Sequence, residues 1–328
     1  MTVSCQKGVL SLQNKPGKTK KHRKMTRLER NNLFWGYLFL GPNIIYLIFW
    51  TVLPILFAFL LSFTNYDMLQ HDIMKGFQSG AKFVGLKNYM LVLKNPIFIR
   101  SVWQTIYFAV LSVFMTNVIG LVLALIAHNS KGKGFFRVAY FIPNITTLTS
   151  LIIIFDALFR PDTIVTDFLA MFGLPEVVWR ITPKYAMNLA IIMSVWAGAG
   201  YNMLIYLAGL QEIPQEVYEA AALDGTSRPK QFFHITLPLL TNKTFFLFVT
   251  GFIGSLQVYD MVQILADFGE KPQVGGPDGS LWTVVYYIYN VGWTQNKMGR
   301  AAAASFILFL IIMIFTIIQR KLFKDQTY

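Results

Sequence analysis

Six stretches of mainly apolar residues are spread along the chain, and each is long enough to cross a membrane as a helix. They cover approximately residues 35–63, 102–127, 138–159, 187–210, 244–265 and 301–318. About 18–25 apolar residues span the hydrocarbon core of a bilayer as an α-helix. The pattern predicts an all-α polytopic membrane protein with about six transmembrane helices. Pro42 and Pro54 predict kinks in the first span, because proline removes a helical hydrogen bond.

Charged residues are scarce, as expected of a chain that is surrounded by lipid. Only 14% of the residues are charged and 55% are hydrophobic, whereas soluble domains carry roughly 25% charged residues. Much of the net charge of +13 comes from a basic tail before Phe34. Such a tail favours membrane topology and anionic lipid over nucleic acid as its explanation. The only cysteine, Cys5, cannot supply a disulfide framework or a thiolate metal site.

The distribution of Lys and Arg between the connecting segments predicts the orientation. With the N-terminus inside, the inner segments hold 18 basic residues and the outer segments hold 10, with Arg300 left out at a boundary. Basic residues favour the cytoplasmic side, so both termini are predicted to be cytoplasmic. The predicted layout is a basic cytoplasmic tail (1–33), a first transmembrane helix (34–63), an outer loop (64–101), a core of five transmembrane helices (102–319) and a cytoplasmic C-terminus (320–328).

The inner connection between the fourth and fifth spans, residues 211–243, has a helical pattern of its own. Pro214 suits the first turn of a short helix, and Gly225 suits the residue after its end, where the turn demands φ > 0. Ser227 is placed to cap a second short helix. Both an ordinary solvated connector and a docking surface for another protein fit this pattern. The small alanines of the first helix favour docking, because they permit close approach.

Fixed positions in this loop resemble a known transporter motif. Glu219-Ala220-Ala221, Gly225 and Ile235-Thr236-Leu237-Pro238 match the EAA loop of ABC importer permeases in type and spacing. Other segments resemble the carbohydrate-uptake branch typified by the maltose-type first permease subunit, namely 61–66, 83–89, 258–260, 275–277 and 298–303. Two departures are that the join at 266–274 is longer than usual in the family, and that the long extra outer domain of some maltose-type subunits is absent.

The resemblance implies a type I ABC importer permease fold and a set of partners. It implies a heterodimer with a second permease subunit that forms the pathway for a sugar or oligosaccharide, in the inner or plasma membrane of a prokaryote. An extracytoplasmic binding protein delivers the sugar, and two ATPase subunits or domains bind ATP and Mg. The residues implied to couple the ATPase to the pathway are Glu219, Ala220, Ala221, Asp224 and Gly225.

The chain's own residues do not supply an ATPase or a metal site. Gly17-Lys18-Thr19 looks like the end of a P-loop, but Leu12 stands where the motif requires its first glycine. The four histidines are scattered, and none has metal-ligand spacing. We therefore expect no catalytic residue, metal or cofactor in this chain, with ATP hydrolysis left to a separate subunit.

A sugar pathway needs hydrogen-bonding groups for hydroxyls and aromatic rings for the apolar faces of the sugar. The candidates in or beside the spans are Asn144, Trp196, Tyr201, Asn202, Gln257, Tyr259 and Asp260. Asp156 is interpreted instead as an interfacial group near the outer end of its helix. The remaining large aromatic residues considered, Trp103, Trp282, Tyr286 and Tyr287, are expected in belts at the membrane surfaces.

Two alternative functions compete with that of a sugar importer. An ABC importer of glycerol-phosphate or a polyol fits the loop motif, but a phosphate ester favours basic residues at its site, and none lies inside a span. An ion-coupled secondary carrier would use Asp156 and Asp260 as proton sites. Such carriers are built from repeat halves with paired broken helices, and the sequence indicates neither.

Overall fold

The computed structural model describes residues 27–70, 81–130, 133–268 and 273–324. The α-helices of these residues are α1 (Arg27–Leu47), α2 (Leu53–Ser62), α3 (Lys87–Leu93), α4 (Pro96–Asn129), α5 (Lys133–Ile145), α6 (Leu148–Leu158), α7 (Ile164–Ala170), α8 (Pro183–Glu212), α9 (Gln215–Leu223), α10 (Arg228–Gln231), α11 (Leu237–Leu239), α12 (Thr241–Leu256), α13 (Asp260–Asp267), α14 (Val284–Tyr289) and α15 (Met298–Lys324). Three π turns (Ile48–Val52, Phe232–Thr236 and Asn290–Thr294) and two 3-10 turns (Trp179–Ile181 and Pro277–Gly279) accompany them. Thr64 and Phe83 form an isolated antiparallel bridge.

The predicted all-α architecture of about six spans is confirmed. Among the described residues, four helical runs have the length and apolar composition of membrane spans, namely Leu33–Ser62, Pro96–His128, Pro183–Glu212 and Met298–Leu322. Two helix pairs meet the same test but are bent, Gly134–Ile145 with Leu148–Leu158 by 98° and Arg228–Leu239 with Thr241–Leu256 by 62°. Counting each bent pair as one span gives six.

The third predicted span, 138–159, consists of two helices instead of one. α5 ends at Ile145 and α6 starts at Leu148. Thr147 forms the N-cap of α6, where its hydroxyl accepts a hydrogen bond from the Ser150 amide at 3.4 Å. Pro143 lies in the last turn of α5. A proline followed closely by a capping threonine ends one helix and begins another, and we call residues 146–147 the first break.

The fifth predicted span, 244–265, is also interrupted. α12 ends at Leu256, and residues 257–259, which we call the second break, connect it to α13. Tyr259 has φ −138° and ψ −64°, outside the helical range. Asp260 stands in the first turn of α13, where its carboxylate is stabilised by the helix dipole. Two of the predicted spans are therefore interrupted.

Two compact units divide the chain at residues 56 and 57. In the first unit, the helical run passes Pro42 and reaches Pro54 without a break, through the π turn Ile48–Val52. A proline ring collides with the carbonyl four residues earlier in an α-helix. The residue four positions before Pro54 is Trp50, which lies in the wider π turn.

Helices α4 and α8 form the central packing of the second unit. A Cβ added to Gly120 of α4 would lie 2.6 Å from Cβ of Asn202 on α8. In the same interface, the buried hydroxyl of Tyr206 donates to Oδ1 of Asn117 at 3.0 Å. Small residues and buried hydrogen bonds hold helices together where lipid removes the hydrophobic driving force.

Three of the segments that carry the family resemblance meet in one clasp, formed by residues 61–66, 83–89 and 296–301. The buried amide of Asn88 donates to the carbonyl oxygens of Ser62 at 2.8 Å and Thr64 at 2.7 Å. Gly299 lies so close that an added Cβ would overlap the carbonyl oxygen of Thr64. The clasp thus ties the end of α2 to the start of α15.

Gly299→Ala should destabilise the protein, because the clasp has no room for a methyl group. Overpacking of this kind costs about 1–3 kcal/mol, so the thermal unfolding midpoint in detergent should fall. Gly36→Ala serves as the matched control, since nothing lies within 4 Å of a Cβ there. Equal midpoints for the two variants would contradict the tight contact.

Candidate substrate pathway and coupling loop

The connection between α8 and α12 folds into a short helix with a defined end. α9 is followed by Asp224 and by Gly225 at φ +73°. The Gly225 amide donates to the Ala222 carbonyl, and the Thr226 amide donates to the Ala221 carbonyl, each at 3.0 Å. This pair of bonds is a Schellman motif, which requires a left-handed residue at its centre. The predicted positive φ at Gly225 is confirmed.

One face of α9 is fixed against the returning chain and the other is open. The Tyr218 hydroxyl bonds to the hydroxyl of buried Thr236 at 2.9 Å. Glu219 lies on the exposed face, where its Oε1 accepts from Nε2 of Gln215 at 2.9 Å. Of the five residues that the resemblance assigns to coupling, Ala221 is half-buried and the other four are exposed, namely Glu219, Ala220, Asp224 and Gly225.

Large apolar side chains are exposed around this loop, which the sequence analysis did not single out. Leu223, in the last turn of α9, is 90% exposed, and Phe233 is 61% exposed. Leu239 is exposed as well. An isolated exposed leucine is unremarkable, but here several flank an exposed carboxylate on one short connection.

Four of the predicted pathway residues lie on α5 and α8, and the structure separates them into two kinds. The Asn144 amide donates to the Ala197 carbonyl at 3.4 Å, which brings it next to exposed Trp196 beside the first break. Tyr201 is also exposed on α8. Asn202 is buried against α4 at Gly120, so its side chain belongs to the helix interface.

Of the other three pathway candidates, Gln257 and Tyr259 lie in the second break and Asp260 begins α13. Gln257 and Asp260 are exposed, and Tyr259 is half-buried. Non-helical backbone at membrane depth is tolerated only where it is buried in protein or lines a water-filled cavity. α6 and α13, the helices that begin at the two breaks, pack against each other and against α8. The two groups of candidates therefore belong to one connected set of helices.

The segment before α15 supplies residues that sequence reasoning missed. Thr283, the N-cap of α14, donates its hydroxyl to the Val258 carbonyl in the second break at 2.9 Å. Tyr289 then places its ring 5.0 Å from the Tyr259 ring, and Trp293 stacks on Tyr289 at 5.8 Å. The spacing of Tyr289 and Trp293 by four residues was the available signal.

The prediction of a membrane-surface position is wrong for three of the four aromatic residues to which it was applied. Trp282, Tyr286 and Tyr287 are buried in the protein core, because α14 packs against α4 and α15. Trp103 is 70% exposed on α4, which agrees with a belt position. Aromatic residues in the last outer segment therefore contribute to packing.

Asp156, near the end of α6 (Leu148–Leu158), is the centre of a buried ion network. Its side chain is 2% exposed, and its two oxygens lie 2.6 Å from Nη2 of Arg160 and 2.7 Å from Nε of Arg180. Arg180 also donates from Nη1 to the Phe268 carbonyl at 2.5 Å. The network ties α6, the turn before α8 and the end of α13 together.

Family comparison assigns the chain to a class of membrane proteins. It belongs to the family described as "Binding-protein-dependent transport system inner membrane component", whose model matches residues 116–327. The chain is thus an inner-membrane component of a binding-protein-dependent ABC transporter, and the resemblance seen in the sequence is confirmed.

Two relatives and one solved structure that resemble this chain have more specific descriptions. The chain is 30% identical over 290 residues to the arabinooligosaccharides transport system permease protein AraP of Bacillus subtilis (strain 168), covering 87% of each chain. It is 29% identical to the sn-glycerol-3-phosphate transport system permease protein UgpA of Salmonella choleraesuis (strain SC-B67), covering 88% of this chain and 94% of the relative. Its fold matches a bacterial ABC transporter involved in the import of the acidic polysaccharide alginate, with a TM-score of 0.74 at 20% identity, covering 92% of this chain and all of that chain.

The ion network around Asp156 predicts unequal effects for its two arginines. Arg180 has a side chain that is 16% exposed, whereas that of Arg160 is 57% exposed. Asp156→Asn leaves the mostly buried guanidinium of Arg180 without its carboxylate, and Arg180→Gln leaves buried Asp156 with only the exposed Arg160 as a partner. Breaking a buried pair costs up to about 3–5 kcal/mol. Arg160→Gln removes a largely hydrated pair, worth about 0–1 kcal/mol. Thermal unfolding in detergent should rank the three variants in this way, and equal losses for both arginines would contradict the network.

Proposed function

We propose that this chain is one permease subunit of an ABC importer and forms the translocation pathway for a sugar or oligosaccharide. The observation that carries this is the second break and the start of α13, where the exposed side chains of Gln257 and Asp260 and the half-buried phenol of Tyr259 meet within an otherwise apolar span. Such groups match the hydroxyls and apolar faces of a sugar. The relative AraP, which by its name transports arabinooligosaccharides, supports the same substrate class.

The position of the second break along its span agrees with a pathway. α12 has 16 residues and is therefore about 24 Å long. With Lys243 at the cytoplasmic side, the break lies in the outer half of a hydrocarbon core that is about 30 Å thick. We propose that both termini are cytoplasmic, on the count of basic residues, and that the predicted layout of tail, first helix, outer loop and core applies with the bounds given above.

A glycerol-phosphate importer is the second candidate, because UgpA is a relative of similar identity. A phosphate group is bound most strongly by arginine and lysine. The described residues of α6, α13 and the two breaks contain neither. Asp260 would in addition repel the anion. These groups favour a neutral sugar.

The remaining partners follow from the connection between α8 and α12, residues 211–243. We propose that it is the coupling loop and that ATP and Mg are bound by an ATPase subunit and not by this chain. α9 docks on that subunit through four exposed residues, Glu219, Ala220, Asp224 and Gly225. A second permease subunit, a second ATPase and an extracytoplasmic binding protein complete the importer. In this assembly the chain has no catalytic residue of its own.

Uptake by the complete complex in cells tests the proposed function. The sugar held by the co-purifying binding protein is identified by mass spectrometry and then followed as a labelled substrate. Uptake should continue in the presence of an ionophore for as long as ATP lasts. Loss of uptake on ionophore addition, with ATP unchanged, would instead indicate an ion-coupled carrier. Asp156 is already bound by two guanidinium groups. Of the two aspartates considered as proton sites for such a carrier, this leaves Asp260.

Two variants of the coupling loop should abolish uptake for different reasons. Glu219→Lys reverses the charge at the proposed contact and should lower uptake at least about tenfold, as for a shielded charge pair. Gly225→Asp places a side chain at φ +73° and distorts the Schellman turn. Sugar binding by the external protein should be unchanged in both.

Rescue separates the two variants. A charge reversal on the ATPase should partly restore uptake to Glu219→Lys but not to Gly225→Asp. Glu216→Lys, on the same exposed helix, is the matched control and should retain most uptake. Normal uptake in both loop variants, with the protein present in the membrane, would remove the main support for coupling through α9.

A further inference from the structure

Three aromatic rings beside the second break form a continuous surface, which we call the aromatic strip and define as Tyr259, Tyr289 and Trp293. The ring centroids of Tyr259 and Tyr289 are 5.0 Å apart, and those of Tyr289 and Trp293 are 5.8 Å apart with an angle of 4° between planes. Tyr289 is 38% exposed and Trp293 is 59% exposed. The rings of Tyr289 and Trp293 are therefore parallel and accessible.

The neighbours of the strip are polar. Asp260 directly follows Tyr259 and is exposed, as is Gln257. Among the described residues, Asp260 has no ion-pair partner within 4.0 Å. A carboxylate facing hydrocarbon is costly, and such groups face a cavity or a partner. At the other end of the strip, the exposed side chains of Thr294 and Gln295 follow Trp293. This surface is therefore built to contact water or a polar ligand.

The backbone around the strip is held in place. Thr283 bonds to the Val258 carbonyl, and the Val284 amide donates to Oγ1 of buried Thr105 at 2.9 Å. Below the exposed rings, the amide of Gln295 donates to Oδ1 of buried Asn290 at 2.9 Å. The rings are thus presented by a fixed support, and a preorganised aromatic surface binds at lower entropic cost.

We propose that the aromatic strip is a stacking subsite for consecutive sugar rings, and that Asp260 beside it selects neutral sugars against anionic ones. This deepens the proposed function and rests on it. Aromatic faces accept the apolar C–H face of a pyranose or furanose ring. Gln257 and Asp260 supply an amide and a carboxylate for the hydroxyls at the sugar's edge. A uronate or a phosphate ester would bring a second negative charge next to Asp260.

Saturation-transfer difference NMR on the purified complete complex in detergent tests the subsite directly, since it detects weak binding. The probes are lactose, maltose and arabinobiose, with digalacturonate as the anionic counterpart. The wild-type complex should saturate ring C–H protons of at least one neutral disaccharide and give the weakest signal with digalacturonate. Tyr289→Ala and Trp293→Ala should each weaken binding of that sugar by about three- to tenfold.

Two further variants separate the alternatives. Trp103→Ala removes an exposed tryptophan outside the strip and should leave sugar binding unchanged. Asp260→Asn should narrow the preference for the neutral disaccharide over digalacturonate. Wild-type binding in Tyr289→Ala and Trp293→Ala would overturn the stacking subsite, and so would loss of the complex itself in both, because the rings would then serve assembly or a lipid contact.

The outcome for the proposed function is measured separately. If the complex takes up the sugar of its binding protein, and its disaccharide binding is unchanged by Tyr289→Ala and Trp293→Ala, the proposed function stands and the stacking subsite does not. An unchanged preference in Asp260→Asn overturns the charge selection alone. A wild-type complex that favours digalacturonate, or binds no neutral disaccharide, overturns the assignment of substrate class.

Discussion

Backbone hydrogen bonding in lipid is the constraint on which this structure depends. Each unpaired amide or carbonyl at membrane depth costs several kcal/mol, so an interrupted helix must find partners elsewhere. The carbonyl of Val258 finds the hydroxyl of Thr283, which is 25 residues further along the chain. At the first break, Thr146 bonds back to the Ile142 carbonyl at 3.1 Å, and Thr147 caps the next helix. Threonine hydroxyls thus make both interruptions possible.

These interruptions are also where the polar candidates gather. A continuous helix directs its backbone groups along its own axis and offers only side chains to the pathway. Once the helix ends, Gln257 and Asp260 flank a new helix start, and Tyr259 contacts Tyr286 and Tyr289 of α14. The same bonds that stabilise the breaks therefore determine which aromatic rings stand next to them.

Local features of the fold could be predicted from the sequence, and non-local ones could not. Apolar length gave the spans, and the position of Gly225 after a short helix gave its positive φ, because both depend on neighbouring residues. The second break depends on Thr283, and the state of Asp156 depends on Arg180, which lies 24 residues away. Neither the hydrophobic periodicity nor the helix propensity of residues 244–265 can predict such a contact. For the same reason Tyr289 and Trp293 were missed, since their importance arises from the position of Tyr259.

The clasp has a consequence for how the chain is made. One of its segments follows the first membrane helix of the described residues and another lies at the start of the last, so the clasp cannot close until translation has passed Gly299. Until then, the amide of Asn88 and the carbonyls of residues 61 and 64 lack the covering that α15 provides. A long sequence separation of this kind delays contact formation. We therefore expect a nascent or truncated chain to expose this polar corner, which offers membrane quality control a means to distinguish unfinished subunits from finished ones.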